Sequence, residues 1–234
     1  MALRTVAVIA RKGGAGKTTV SIHLALAAYL RGQRTLLADM DPQRSALEVF
    51  KARKRAGPDR MESTGAKLFA LKTNAARQGV DTLVVDTPAG DEAEMASAIA
   101  LSDLCVIVVR PTYLDIASAL QSVEVVRRLR KAAVLVVNQA QSPRRGVELP
   151  AMERARRALE LLGLPVCPVM LRTRAAYQNA LERGFSVEES DDPIARQEIG
   201  ELWRRIDQMV TANLMCAQSP VRPPVPEPAT SRAG

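Results

Sequence analysis

Residues 11–19 have the sequence RKGGAGKTT and follow directly on the apolar stretch VAVIA of residues 6–10. The segment nearly satisfies the spacing Gly-x-x-x-x-Gly-Lys-Ser/Thr, with Lys12 at the position of the usual first glycine. A helical pattern follows, so the local order is strand, loop and helix. The sequence therefore predicts a phosphate-binding loop with two lysines. An ordinary glycine-rich turn with solvated lysines is the alternative.

The residue types of this loop suit a nucleoside triphosphate. Backbone N–H groups can crowd around a phosphate only where side chains are absent. Lys17 can reach the β- and γ-phosphates, while the Thr18 hydroxyl can ligate Mg²⁺ and Thr19 can contact the α-phosphate. The predicted cofactor-binding residues of the loop are Gly13, Gly14, Ala15, Gly16, Lys17, Thr18 and Thr19.

Two further apolar strands end in carboxylates. One ends at Asp39, with Asp41 two positions later, and the other ends at Asp86. Residues two apart on a strand share a face, so Asp39 and Asp41 are expected to face the metal and the attacking water. Asp86 is expected to hold Mg²⁺ directly or through water, with Gly90 as a hinge behind it. A helix cap or a turn explains each aspartate when it is taken alone.

The segments 12–19, 39–43 (DMDPQ) and 86–90 (DTPAG) together resemble the deviant Walker A family of ParA and MinD ATPases. The resemblance extends from residue 1 to about residue 214. In that family the nucleotide lies between two subunits, which implies an ATP-dependent homodimer in which Lys12 reaches the partner's phosphates. The resemblance implies ATP and Mg²⁺ as cofactors.

The resemblance also implies roles for individual residues. Asp41 would orient the attacking water, and Lys12 would supply positive charge in trans, as an arginine finger does elsewhere. The implied catalytic residues are Lys12, Lys17 and Asp41, and the implied metal-binding residues are Thr18, Asp39 and Asp86.

Apolar strands alternate with helical patterns along the chain, which predicts a doubly wound α/β fold. This fold, that of a deviant P-loop NTPase, has a mostly parallel sheet with helices on both faces, and ligands bind at the carboxyl ends of its strands. One helix is expected to start at Pro150 and to stop before Gly163. The predicted strands lie at about 4–10, 34–38, 82–86, 103–109, 132–138 and 165–170.

The strand near residues 132–138 ends in Asn138. By resemblance to the family, an asparagine here contacts the edge of adenine, and its amide offers the required donor and acceptor together. A turn asparagine after a strand is the alternative. We therefore include Asn138 among the predicted cofactor-binding residues.

Length and composition are typical of one globular domain, with 234 residues of which 47% are hydrophobic and 3% aromatic. We assign residues 1–216 to a ParA-like P-loop ATPase domain and residues 217–234 to a Pro-rich tail that is expected to be disordered. Apolar runs are far shorter than the roughly 20 residues of a membrane span, and the N-terminus is predicted as a strand rather than a signal peptide.

Cysteine and histidine usage favours a cytoplasmic protein without a clustered metal site. His23, the single histidine, is expected to pack within a helix. The cysteines are scattered and odd in number, at Cys105, Cys167 and Cys216.

The net charge of +8 and the pI near 9.9 favour an acidic partner, with nucleic acid as the leading choice. Few aromatic residues are available to stack on bases, so phosphate contact is favoured over base recognition. Basic residues cluster within 51–55, 127–131, 154–157, 172–174 and 204–205, and each cluster taken alone could be a solvated helix face. Residues 171–196 resemble the DNA-binding portion of ParA proteins, which implies non-specific DNA contacts by Arg172, Arg174 and Arg196, with Arg204 and Arg205 as second choices.

The predicted function is that of a short, nucleoid-associated ParA-like ATPase. ATP would close the homodimer, the dimer would bind DNA non-specifically, and a ParB-like protein or cargo adaptor would stimulate hydrolysis. The cargo would be a plasmid, a chromosome region or a large protein assembly.

Other functions remain open at this point. A MinD-like membrane-associated ATPase is disfavoured because the Pro-rich tail is a poor membrane helix. A metabolic P-loop enzyme of the same superfamily is disfavoured by Lys12 and by residues 39–43. A nitrogenase-reductase-like electron carrier lacks a suitable pair of cysteines.

Overall fold

The computed structural model describes residues 2–218. Its centre is a six-stranded, parallel sheet with the strand order β3-β2-β4-β1-β5-β6. The strands are β1 (Arg4–Ile9), β2 (Thr35–Asp39), β3 (Asp59–Glu62), β4 (Thr82–Asp86), β5 (Leu104–Val109) and β6 (Ala133–Val137). The helices are α1 (Lys17–Leu30), α2 (Ser45–Lys51), α3 (Gly65–Arg77), α4 (Glu92–Leu101), α5 (Tyr113–Arg128), α6 (Pro150–Glu160), α7 (Ala175–Leu181), a 3-10 helix (Val187–Glu189) and α8 (Pro193–Gln218).

Two hydrophobic cores lie on opposite faces of the sheet. Alternate residues of β1 belong to different cores: Val6 and Val8 pack with α1 and α8, while Ala7 and Ile9 pack with α3, α4 and α5. A strand with both faces buried is apolar at nearly every position, as β5 is throughout and β1 is from Val6 to Ile9. The predicted doubly wound α/β fold is confirmed.

Two details of the predicted sheet are wrong. Residues 165–170 do not form a strand, because they touch β6 only through isolated pairing such as that of Val166 with Leu135. The sixth strand is β3, at the opposite edge of the sheet. All four of its residues, DRME, are exposed, so the sequence has no apolar signal there.

The helix boundaries follow the expected signals at α6. Pro150 occupies the first turn, and Gly163 has a φ of 67° just beyond the helix end, so this prediction is confirmed. Helix α8 extends to Gln218, and the rest of the predicted Pro-rich tail, residues 219–234, lies outside the described residues. Within residues 2–218, no helix is at once long enough and apolar enough to cross a bilayer.

Candidate nucleotide site

The glycine-rich loop connects β1 to α1 and is shaped by glycine. Gly16 is the N-cap of α1, and its φ of 92° lies in the left-handed region that favours glycine. A Cβ atom at Gly16 would lie 2.1 Å from the side-chain amide nitrogen of Asn138. Gly14 also has a positive φ, of 75°. The loop therefore brings the N–H groups at the start of α1 to the carboxyl edge of the sheet, where a phosphate can bind.

Lys17 and Asp86 form a buried charged cluster beside this loop. Lys17 is the first residue of α1 and is only 6% exposed. Burial lowers the pKa of Lys17, and the carboxylates of Asp86 and Asp41 act in the opposite sense. Asp86 ends β4, and its Oδ1 accepts a hydrogen bond of 2.9 Å from the Ser21 hydroxyl. Burial raises the pKa of Asp86 to about 7, while the nearby hydroxyls of Thr18 and Ser21 oppose the change.

Asp86 retains the capacity to bind a ligand. Its Oδ2 is buried and has no hydrogen-bond partner among the described residues. An unsatisfied buried carboxylate oxygen is costly unless a ligand completes it. The neighbouring Thr18 hydroxyl supplies a second hard oxygen. In residues 2–218 no three His, Cys, Asp or Glu side chains converge. Thr18 and Asp86 therefore fit Mg²⁺ bound with nucleotide phosphates and water.

Asp39 is placed differently from Asp86, although the two are register partners on β2 and β4. Its Oδ1 accepts from the N–H of Asp41 at 3.1 Å, and its Oδ2 accepts from Ala46 and Leu47 at the start of α2. Burial raises the pKa of Asp39, and these backbone hydrogen bonds act against it. Asp39 therefore anchors α2 to the end of β2, and its role as a metal ligand stays a prediction.

Asp41 does not share a strand face with Asp39, because β2 ends at Asp39. Its carboxylate accepts from the N–H of Gln43 at 2.9 Å, so it lies in a half-exposed turn. The predicted common strand face of Asp39 and Asp41 is therefore wrong. Asp41 is nevertheless near enough to Lys17 to affect its pKa, so it lies at the same edge of the sheet.

Lys12 lies beside helix α5. It is half-buried and lines a small cleft with Asp115 and Ser118 of α5. The Asp115 carboxylate accepts from Arg110 and from the hydroxyl of Thr112. Hydrogen bonds from these residues lower the pKa of Asp115 against the effect of burial, and the charge of Lys12 contributes in the same direction.

Asn138 and Gln139 connect the end of β6 to the loop. The Asn138 amide donates to the carbonyl of Ala15 at 2.8 Å, and that of Gln139 donates to Gly14 at 2.9 Å. Asn138 is therefore beside the nucleotide loop. Its amide nitrogen contacts protein backbone, and its contact with adenine stays a prediction.

The predicted DNA-contacting arginines differ from one another in their surroundings. The Arg172 guanidinium pairs with Glu148 at 2.6 Å, and Arg174 pairs with Glu198 at 3.1 Å. Arg196 is exposed on α8. The second choices, Arg204 and Arg205, both lie 3.7 Å from Glu201.

Sequence reasoning missed three residues that surround the loop: Ser21, Asp115 and Gln139. Ser21 could have been found, because it lies one helical turn after Thr18 and shares its face of α1. Asp115 and Gln139 reach the loop through the packing of α5 and β6, and no local pattern indicates that contact.

The sequence is similar to one known protein family and to several individual proteins. Residues 6–187 match the CobQ/CobB/MinD/ParA nucleotide-binding domain family. The chain is 34% identical to Maintenance of carboxysome distribution protein A of Halothiobacillus neapolitanus, over 78% of this chain and 86% of that protein. It is 32% identical to protein virC1 of Rhizobium radiobacter, over 74% of this chain and 78% of that protein.

The fold is similar to that of a solved structure, the ATP complex of a Cyanothece McdA variant. The TM-score is 0.71 at 16% sequence identity, and the match covers 94% of this chain and 99% of that one. At this level of identity the match supports the fold alone.

Proposed function

We propose, since this chain belongs to the CobQ/CobB/MinD/ParA family of nucleotide-binding P-loop proteins, that it is an ATPase which positions a cargo on DNA. ATP and Mg²⁺ would close a homodimer, and the closed dimer would bind DNA through phosphate contacts. A ParB-like protein or cargo adaptor would then stimulate hydrolysis and release the dimer. The cargo is a plasmid, a chromosome region or a large protein assembly.

The observation that carries this proposal is the contrast between the two lysines of one loop. Lys17 is buried beside Asp86, as expected of a lysine that binds the phosphates of its own subunit. Lys12 is half-buried beside Asp115 of α5, so part of its side chain is open to solvent. A partly solvent-exposed lysine in the loop is available to a phosphate held by a second subunit. Two relatives support the proposal, because the name of one refers to carboxysome distribution and that of another to chromosome partitioning.

Each residue of the site would have a defined task. Lys17 and the backbone N–H groups of the loop bind the phosphates, and Asn138 contacts the base. Thr18 and Asp86 hold Mg²⁺, which neutralises phosphate charge when bound. Asp41 orients the attacking water from its half-exposed turn. Asp39 fixes the start of α2 and thereby the turn that contains Asp41.

The experiment is to measure binding to an arbitrary DNA duplex with ATP, with ADP and without nucleotide, across a salt series. We expect binding with ATP alone, falling steeply with salt because phosphate contacts release counterions. An absence of DNA binding in all three states would contradict the proposal. Anionic vesicles and small carboxylate substrates would then test the MinD-like and metabolic alternatives.

A matched pair of variants tests the dimer. Lys12→Ala should still bind ATP but should form no ATP-dependent dimer by light scattering. Arg11→Ala removes the neighbouring cation, which pairs with Glu92 on the same subunit, and should dimerise as the wild type does. Equal dimerisation of both variants would show that Lys12 does not act across the interface.

A further inference from the structure

Residues 141–148, which we call the basic finger, form a short projection after β6. Its tip is a two-residue turn in which Arg144 and Val147 exchange backbone hydrogen bonds of 3.0 and 2.9 Å. The two residues of the turn, Arg145 and Gly146, have φ values of 49° and 79°. Positive φ at both positions defines a tight type I′ turn, so the tip has a definite shape rather than that of an open loop.

The base of the finger is braced by one arginine. Arg172 donates from Nη1 to the carbonyl of Gln141 at 2.7 Å, and both of its terminal nitrogens bond to the Glu148 carboxylate. Gln141 and Glu148 are the first and last residues of the finger. A single guanidinium, only 13% exposed, therefore joins the two ends and holds the finger in place.

The cations of the finger and those of the adjacent surface have different surroundings. Arg144 and Arg145 are exposed and make no side-chain hydrogen bond or ion pair with any residue from 2 to 215. Arg172 and Arg174 are each held by a carboxylate, Glu148 and Glu198 respectively. A guanidinium that is paired with a carboxylate loses that ion pair when it contacts a phosphate. An unpaired guanidinium loses only its bound water, which costs less free energy.

The finger is also attached to the nucleotide loop. Asn138 and Gln139, just before it, donate to the carbonyls of Ala15 and Gly14. Gln139 itself has a φ of 56°, so the chain turns sharply between the loop contact and the base of the finger. The loop and the finger are therefore linked through two hydrogen bonds.

We propose that Arg144 and Arg145 of the basic finger are the principal DNA-phosphate contacts of this protein, and that Arg172 is a positioning residue for the finger. This inference rests on the proposed function, since it assigns the surface through which the ATP-bound dimer binds DNA. A homodimer presents two fingers and four such arginines. The attachment to Gly14 and Ala15 makes their presentation depend on the nucleotide.

The test compares two variants with the same change of charge. Arg144→Glu/Arg145→Glu alters the finger. Arg77→Glu/Arg128→Glu alters exposed arginines near the ends of α3 and α5, at the edge of the sheet remote from the loop. DNA affinity with ATP is measured for both variants and the wild type across a salt series, together with ATP binding and ATP-dependent dimerisation.

We expect the finger variant to lose DNA affinity by about 30-fold or more and the control by about threefold, with ATP binding and dimerisation unchanged in both. The dependence of log affinity on log salt should become shallower by about 3 to 4, because each lost phosphate contact removes about 0.9. Equal losses in the two variants would overturn the finger assignment while leaving the proposed function intact. An absence of ATP-dependent binding in the wild type would instead overturn the proposed function, and the finger's role with it.

Discussion

Two buried carboxylates show how the nucleotide edge differs from the surface formed by α7 and α8. Asp86 at the nucleotide edge is fully buried, and one of its oxygens has no partner among the described residues. Glu198 on α8 is 9% exposed and accepts from three donors: the Arg172 N–H, the Arg174 side chain and the Tyr177 hydroxyl. A buried carboxylate oxygen without a hydrogen-bond partner can bind a ligand. A carboxylate whose oxygens accept several hydrogen bonds within the protein stabilises the fold instead.

The largest effect is expected at the saturated carboxylate. Glu198→Ala leaves Arg174, Tyr177 and a backbone N–H without their acceptor, which should lower the free energy of unfolding by about 4 kcal/mol. Burial and the neighbouring Glu198 charge both raise the pKa of Tyr177, so its hydroxyl stays a donor. Denaturant unfolding measures the loss, and ATP affinity should not change.

The control for this prediction is Glu201→Ala, one helical turn further along α8. Its pairs with Arg204 and Arg205 are longer, at 3.7 Å, and more exposed. We expect a loss below about 1 kcal/mol there. Similar losses at Glu198 and Glu201 would remove the distinction between a saturated network and an ordinary surface pair.

Asp86→Asn, in contrast to Glu198→Ala, should weaken ATP binding rather than lower stability. It removes the charge of the predicted metal ligand, so affinity for ATP in the presence of Mg²⁺ should fall about 100-fold, or roughly 2.7 kcal/mol. Stability at pH 8 should change little, because the gain from removing a buried charge is offset by the loss of the carboxylate that faces Lys17. Calorimetric titration with and without Mg²⁺ measures the first effect. Asp81→Asn, just before β4, is the control and should bind normally. A stability loss without an affinity loss would show that Asp86 is structural.

His23 lies between the nucleotide edge and the α7–α8 surface, and its protonation makes the stability of the protein depend on pH. Its Nδ1–H donates to the carbonyl of Thr19 at 2.7 Å, and its ring lies 5.2 Å from that of Tyr177. Burial lowers the pKa of His23 from 6.5 to about 4. Below pH 6.5, His23 therefore binds a proton in the unfolded chain but stays neutral in the folded chain until the pH approaches 4. Between pH 7 and 5 this histidine should reduce the free energy of unfolding by about 2 kcal/mol.

The measurement is denaturant unfolding at pH 7 and pH 5 for the wild type and His23→Gln. Asp86 titrates with the opposite sign, because its raised pKa lets the folded state bind a proton first. The difference between the two proteins cancels that contribution and isolates the histidine. If both proteins lose the same stability on acidification, His23 does not couple folding to pH.

The smallest effect is expected at the brace of the basic finger. The Arg172 hydrogen bonds lower the pKa of Glu148, so this pair is charged at neutral pH. Glu148→Gln should cost about 1 kcal/mol of stability. It should also weaken DNA binding about threefold, because the finger loosens. An increase in DNA affinity would instead show that freeing Arg172 exposes a DNA contact, as the sequence resemblance implied.

Much of the nucleotide edge could be predicted because its signals are local. The loop needs glycine at left-handed positions such as Gly16. The residues that follow have a local sequence pattern that predicts a helix start without reference to the rest of the fold. Asp86 follows an apolar strand, and parallel strands bring their carboxyl ends to one edge. The sequence does not show where Asp41 lies, because β2 ends where the Asp39 carboxylate accepts hydrogen bonds from the first N–H groups of α2. These hydrogen bonds span the turn that contains Asp41.

The arginine surface could not be predicted in the same way. A cluster of basic residues in the sequence does not show which of them are neutralised. Arg172 and Arg174 become partners of Glu148 and Glu198 only when β6, α7 and α8 pack together. The edge strand β3 could not be predicted either, because its four exposed residues have no apolar pattern and it joins the sheet through backbone pairing with β2.

The family, the doubly wound sheet and the glycine-rich loop were evident from the residue pattern, because they depend on backbone preferences and on the period of apolar residues. Which charges are available emerges only when the chain folds. Whether Asp86 keeps an open oxygen, whether Lys12 lies outside the buried cluster and whether Arg144 is unpaired depend on neighbours far away in the chain. Pairing energies of charged groups are set by distance and burial, and only the folded chain defines either.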